Sequence, residues 1–205
     1  MKTLITPAEV VRYSDIDLNT PVCNFRQIEQ IEAYIFGTKL SSLLYSDMLD
    51  MLNDYSGAQT WKSTDTIAKD DLRVYNGQVY KALKASTNIL PTNIEYWAGA
   101  KKFVSDCFES FWCDVLANYL ALSVVENRLP KMWIKVKADG VVKQRGEMYE
   151  PASNNDYRTY HNSVIRDLEI NYFNLMQYIR KTPCLNQYSF CGAIKSEDRV
   201  QYNVG

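Results

Sequence analysis

The spacing of the apolar residues changes twice along the chain. In residues 25–55 they recur every three or four positions, which is the spacing of one helical face. In residues 73–83 they alternate around Asn76 and Gly77, and an Asn-Gly pair between β-forming residues is the strongest short-range signal for a hairpin. A helical period returns in residues 103–120. The sequence therefore predicts a mainly α fold that carries a small β insert.

These changes of period set the expected domain boundaries. We predict a helical bundle built from residues 1–57 and 100–183, interrupted by a small β module at residues 58–99. Residues 184–205 have few periodic apolar positions, so they are expected to form an extended C-terminal tail. A length of 205 residues suits one domain with such an insert.

Helix start and stop signals divide the predicted body. Thr6 precedes a proline and is expected to cap a first short helix. Either Thr20 or Asn24 can cap the second helix. Pro130 is expected to end the central helix, and a capping box at Ser153 is expected to open the last long one.

A second hairpin is predicted between the last two helices. Residues 133–137 and 141–143 are rich in β-forming side chains and flank Asp139-Gly140. A two-stranded ribbon needs support from a neighbour, and aromatic residues of a tail can anchor on one. The candidate subunit-interface residues are therefore Trp133, Val136, Val141, Tyr188, Phe190 and Tyr202.

Charge and cysteine content constrain partners and compartment. Lys and Arg total 23 against 24 Asp and Glu, so the net charge of -1 gives no general attraction to nucleic acid or to an anionic membrane. No apolar run approaches the roughly 20 residues of a membrane span, and no signal peptide is expected. The five cysteines are odd in number and lack a CxxC pair, which predicts free thiols, with Cys107 and Cys113 buried, in a reducing compartment.

The residue types needed for catalysis are scarce in this chain. His161 is the single histidine, and no nucleophile motif accompanies it, so we expect it to be structural. Metal-binding motifs such as HExxH, paired CxxC or an EF-hand loop are missing, and so are the glycine-rich loops that hold phosphate. The sequence therefore predicts a protein that is not an enzyme and that uses no metal or cofactor.

The β insert resembles a known carbohydrate-binding module. The residues that carry the likeness are Trp61, Val74-Tyr75-Asn76-Gly77, Tyr80, Ala82, Pro91 and Trp97. They stand at the spacings of chitin-binding modules of family 5/12, and the resemblance implies candidate contact residues Trp61, Tyr75, Tyr80 and Trp97. In sugar-binding members exposed aromatic residues follow the Y-x-A element, whereas residues 83–87 here contain none. We therefore expect an interaction module that keeps the fold without the sugar site.

The remainder of the chain resembles head–tail connector (adaptor) proteins of tailed phages. Residues 4–9 match their LIT-x-x-E opening, and residues 28–52 resemble their first long helical stretch. The likeness is greatest to neck ring proteins of crAss-like phages. It implies a non-enzymatic ring of twelve copies in the neck of the virion, assembled in the host cytoplasm. Its expected partners are the portal protein, tail or other neck proteins, and DNA that passes through without sequence-specific binding.

Two other functions are compatible with parts of the sequence. A carbohydrate-binding accessory protein would use the inserted module, and such a protein normally carries a secretion signal. A small hydrolase would need a nucleophile and base that the sequence does not offer. The structural ring subunit is the leading hypothesis.

Overall fold

The computed structural model describes residues 2–14, 23–138, 142–145, 148–151 and 154–188, and its fold is mainly α with a small mixed sheet, as predicted. The helices are α1 (Pro7–Tyr13), α2 (Phe25–Thr38), α3 (Ser42–Asp50), α4 (Asp106–Phe111), α5 (Ala117–Ala138) and α6 (Asn154–Lys181). The strands are β1 (Gln59–Thr60), β2 (Thr66–Ile67), β3 (Leu72–Tyr75), β4 (Gln78–Ala82), β5 (Ser86–Thr87), β6 (Trp97–Gly99), β7 (Val142–Arg145) and β8 (Met148–Pro151).

Side-chain caps fix where the first helices begin. The Thr6 hydroxyl accepts from the Glu9 backbone N–H at 3.2 Å, and the Glu9 carboxylate accepts from the Thr6 N–H at 2.9 Å. The same reciprocal pair joins Asn24 and Gln27 at the start of α2. Each pair satisfies two backbone donors that a helix start leaves free. The expected cap at Thr6 is confirmed, and of the two alternatives for α2 the structure selects Asn24.

The central helix is longer than the sequence indicated. A π-helical segment, Trp112–Leu116, joins α4 to α5, and α5 continues to Ala138 with Pro130 inside it. The expected stop at Pro130 is therefore wrong. Proline removes one backbone donor, but the preceding turn buries Val125 and Leu129, and this packing outweighs the lost hydrogen bond.

The second hairpin exists but lies further along the chain than predicted. β7 and β8 pair antiparallel, with Val142 opposite Pro151 and Arg145 opposite Met148. Residues 133–137 belong to α5 instead, because adding a residue to a formed helix is favourable and β-propensity is easily overridden by context. The predicted turn at residues 139–140 lies outside the described residues.

The first part of the predicted extended tail is packed on the body. Pro183–Leu185 form a 3₁₀ turn directly after α6, and Leu185 and Tyr188 are buried in the main core. The expectation of an extended segment is wrong for residues 184–188, because these two apolar side chains have a site on their own chain. Residues 189–205 lie outside the described part of the structure.

The β module contains a four-stranded sheet in the order β1-β3-β4-β6 and a separate pair, β2 with β5. The predicted hairpin at Asn76-Gly77 is confirmed: both residues have positive φ, 49° and 74°, as its tight turn between β3 and β4 requires. The module has its own small core, made of Ile67, Ala82 and Trp97.

The main core lies around α5. Its helix face buries apolar side chains against α1, α2 and α6, while α3 packs on α2. None of the described helices is long and apolar enough to cross a membrane.

Candidate functional site

A two-stranded stem joins the module to the body. Leu52 and Phe103 form an antiparallel bridge, and the Asn53 N–H donates to the Lys102 carbonyl at 2.9 Å. The Tyr55 hydroxyl donates to the Lys101 carbonyl at 2.5 Å. The chain therefore leaves and re-enters the helical body at adjacent points, which is the geometry of an inserted domain.

A cavity of about 410 Å³ lies where the stem, the module and α1 meet. Polar and charged side chains line much of it, including Glu9, Arg12 and Lys102, with the Trp112 ring beside them. Arg12 donates to the Gln78 side-chain carbonyl, which links α1 directly to the β3–β4 hairpin. The cavity is thus bounded on opposite sides by the two parts of the molecule.

The charges in this cavity neutralise each other. The Lys102 ammonium lies 2.6 and 2.7 Å from the two Glu9 carboxylate oxygens and 4.1 Å from the centre of the Trp112 ring. Burial lowers the pKa of Lys102, and the neighbouring Glu9 carboxylate opposes that shift. The pair clamps the exit strand of the stem onto α1, so its evident role is to hold the module in place.

Glu32 is a fully buried acid that sequence reasoning missed. Its carboxylate accepts from the Leu4 and Ile5 N–H groups at 3.0 and 2.8 Å and from the Tyr45 hydroxyl at 2.9 Å. Burial raises the pKa of Glu32 to about 7, and these donors limit the rise. The carboxylate pins the N-terminal arm to the body. An acid inside the apolar stripe of α2 was the signal available in the sequence.

The structure separates the four aromatic residues that were expected to act together in the module. Trp97 is buried, and its indole N–H donates to the Ile89 carbonyl at 3.2 Å. Tyr80 packs at the edge of the same small core. Trp61 and Tyr75 are half-buried and meet edge to face with centroids 5.6 Å apart. Only Trp61 and Tyr75 therefore form an accessible aromatic pair.

The predicted assembly hairpin projects from the end of a helical pair. The Tyr119 and Tyr172 rings have centroids 5.6 Å apart, and the Glu126 Oε1 atom lies 3.7 Å from His161 Nε2. These two contacts show that α5 and α6 run antiparallel. β7 follows the far end of α5 and β8 precedes α6, so the hairpin is placed at the tip of this pair. For β7 and β8 the structure describes the pairing of one strand with the other.

The predicted interface residues lie in different parts of the chain, and the structure describes only some of them. Tyr188 is buried on its own chain, where its hydroxyl donates to the Asp47 carboxylate at 2.8 Å. Its role as an intersubunit anchor stays a prediction. Trp133 and Val136 lie on α5, and their side chains are outside the described part of the structure. Val141, Phe190 and Tyr202 lie outside the described residues altogether.

Cysteine pairing also corrects the sequence-based expectation. Cys107 at the start of α4 and Cys184 after α6 form a disulfide across 77 residues, with their Cα atoms 6.5 Å apart. Cys113 carries a free thiol that is exposed rather than buried, and Cys23 is free and half-buried. The disulfide fixes the end of α6 against α4. The separation in sequence left no local motif from which to infer it.

His161 packs between an aromatic ring of its own helix and an acid of α5. Its ring stacks on Tyr157 with centroids 5.5 Å apart, and its Nε2 faces the Glu126 carboxylate. Among the described residues no group of three or more His, Cys, Asp or Glu side chains could hold a metal ion.

Comparisons with known proteins give no assignment. The chain matches no protein-family model, no curated protein and no solved structure.

Proposed function

We propose that this protein is a structural subunit of the neck of a tailed phage, forming a ring that joins the portal to the tail and lines the DNA channel. The observation that carries the proposal is the β7–β8 hairpin at the tip of the α5–α6 pair. An isolated two-stranded ribbon is only marginally stable in water, and contact with another subunit would stabilise it.

The order of elements supports the same proposal. A capped short helix precedes two helices, and a long central helix leads through a hairpin into a closing helix, as the likeness to connector proteins implies. The β module interrupts this order on a closed stem without altering it. A ring built from such subunits needs contacts between two different surfaces of neighbouring copies.

Mass measurement tests the ring directly. Light scattering and negative-stain microscopy of the purified protein, alone and mixed with the portal protein, are expected to show closed rings in at least one condition. A variant with residues 139–153 replaced by a short Gly-Ser linker should lose the rings while keeping its helical circular dichroism. Monomers in both conditions, with the wild-type chain folded, would overturn the proposal.

A carbohydrate-binding accessory protein is the second candidate, and the half-buried Trp61–Tyr75 pair is the observation that favours it. Burial of Trp97 weighs against it, because a ring in the core cannot stack on a sugar without unfolding the module.

The two candidates differ in a pull-down on chitin and cellulose beads. We expect retention of the wild-type chain no higher than that of an unrelated protein. Tyr34→Ala, which alters an exposed ring on the helical body, should behave as wild type does. Retention that is lost on Trp61→Ala, with folding intact, would favour the carbohydrate function.

A further inference from the structure

Two large apolar side chains are exposed on the outer side of α6. Ile170 is 51% and Phe173 is 61% exposed, whereas Val164, Leu175 and Ile179 on the opposite side are buried. Residues three apart on a helix are neighbours, so Ile170 and Phe173 form one continuous apolar patch.

Two arginines extend this patch along the helix. Arg166, Ile170, Phe173 and Arg180 follow the spacing i, i+4, i+7, i+14, which keeps them on one face, here called the α6 ridge. Both arginines are exposed, and neither forms an ion pair with any described residue. The nearby acids Asp167 and Glu169 line the grooves on the two sides of α6. The ridge is therefore apolar in its middle and basic at both ends.

A complementary surface lies on α3. Leu43 is 58% exposed, and Met51, which follows the helix directly, is 44% exposed. Asp50 is exposed in the last turn of α3. Residues 42–57 contain three aspartates and no lysine or arginine. We call Leu43, Asp50 and Met51 the α3 face.

The charge on this face lacks compensation among the described residues. A carboxylate in the last turn meets the negative end of the helix dipole, which disfavours it. Asp47 accepts a hydrogen bond from the Tyr188 hydroxyl, whereas Asp50 has no hydrogen-bond or ion-pair partner among the described residues. A cation from outside the chain would offset this charge.

We propose that the α6 ridge of one copy docks on the α3 face of the next copy, so that Ile170 and Phe173 pack against Leu43 and Met51 and an arginine pairs with Asp50. This proposal rests on the ring function proposed above. The two surfaces differ, so the contact is head-to-tail and can close a ring when repeated. Charged side chains at the rim select the partner, and apolar side chains in the middle supply most of the affinity.

The apolar part of the contact is tested with Phe173→Asp. The substitution places a charge in the middle of the interface and leaves the monomer fold intact, because the side chain is exposed. The dissociation constant of the assembly is expected to rise at least about tenfold. Ile94→Asp, at an exposed position of the β module, is the matched control and should leave assembly unchanged.

A charge exchange tests the pairing itself. Arg166→Glu together with Arg180→Glu should weaken assembly, and so should Asp50→Lys alone. Combining the three substitutions in one chain should restore assembly at every interface, because each copy carries both surfaces. Recovery of the ring mass in light scattering is the expected result, and a triple variant no better than either parent overturns the proposal.

The outcomes also separate this inference from the function on which it rests. Rings that persist in Phe173→Asp and in both charge variants would refute the docking surfaces and leave the ring function standing. A wild-type chain that forms no ring, alone or with the portal protein, would refute both.

Discussion

The helical body and the β module are held together in different ways. The body buries a continuous cluster of aliphatic and aromatic side chains around α5. The small core of the module consists of Ile67, Ala82 and Trp97, with half-buried residues such as Trp61 and Tyr80 around them. A segment of this size cannot remove much apolar surface from water, so it depends on its strand pairing, its tight turn and a few aromatic rings. The comparison shows that one chain can combine a unit stabilised by burial with a unit stabilised by local geometry.

The module and the body also differ in how many of their buried polar atoms lack a hydrogen bond. Among the described residues the module contains three buried side-chain polar atoms without a hydrogen bond, Trp61 Nε1, Arg73 Nε and Ser86 Oγ, whereas the larger body contains only Tyr119 Oη. An unsatisfied buried polar group costs roughly 1–3 kcal/mol. The module is therefore expected to be the less stable unit and to unfold first.

Of the changes considered, truncation of a buried tryptophan in each unit should lower the stability of that unit most. Trp112→Ala removes a buried ring that contacts Phe103 and Tyr13, and it should lower the free energy of unfolding of the body by about 3–5 kcal/mol. Urea unfolding followed by helical circular dichroism measures this change. Val104→Ala, at an exposed site, should change it by less than about 0.5 kcal/mol.

Trp97→Ala is the matched substitution in the module. It should open residues 58–99 to proteolysis and leave the helical unfolding transition in place. A single transition that is equally destabilised by both tryptophan variants would show that the two units are one cooperative structure.

Loss of the disulfide should cause the next largest loss of stability, and this loss should be confined to the helical body. Cys184→Ser releases the link between α4 and the end of α6 and should cost roughly 2–4 kcal/mol under oxidising conditions. The midpoint of urea unfolding with and without reductant measures it, and Cys113→Ser is the control because that thiol is free. Equal midpoints for wild type in both conditions would contradict the presence of the bond in solution.

The buried acid Glu32 is expected to make the stability of the helical body depend on pH. Its pKa is about 7 in the folded chain and near 4.5 when exposed, so the folded state holds the proton more tightly between these values. Stability contributed by Glu32 is therefore complete below about pH 4.5 and is lost as the pH rises toward 7, by at most roughly 3 kcal/mol.

The difference in the free energy of unfolding between wild type and Glu32→Gln, measured from about pH 4.5 to 7, separates the contribution of Glu32 from that of other carboxyl groups. The variant cannot titrate at this position, so it should lack this part of the pH dependence. Parallel stability curves for the two proteins would contradict the assignment.

Removal of the module should have the smallest effect on the body. Replacing residues 58–99 with a short Gly-Ser linker keeps the Leu52–Phe103 bridge and loses the contact of Arg12 with Gln78. The helical content and the thermal midpoint of the body should change little, as calorimetry and circular dichroism can show. Global unfolding of this variant would mean that the module is part of the body.

Local signals in the sequence predicted the features that depend on a few adjacent residues. The helix cap at Thr6 and the Asn76-Gly77 turn each involve groups within three residues of one another, and the structure confirms both. The same local reasoning was wrong at Pro130 and at residues 133–137, where packing and helix continuation override the preferences of single residues.

The features that sequence reasoning missed depend on distant partners. Glu32 binds backbone groups 27 and 28 residues away, and Cys107 bonds a residue 77 positions later. The Tyr188 hydroxyl donates to a carboxylate 141 residues earlier in the chain. No periodicity or motif encodes such pairs, because each partner is chosen by the folded arrangement of helices.

The closed stem has a consequence for engineering. Residues bridged across antiparallel strands lie about 5 Å apart, so the body presents two nearby chain ends to whatever sequence stands between them. Any foreign domain whose termini are similarly close could replace residues 58–99, as insertions succeed where the ends of the guest match the gap. The position is thus a cassette site where a fluorescent protein or an affinity handle could be grafted without lengthening either end of the chain.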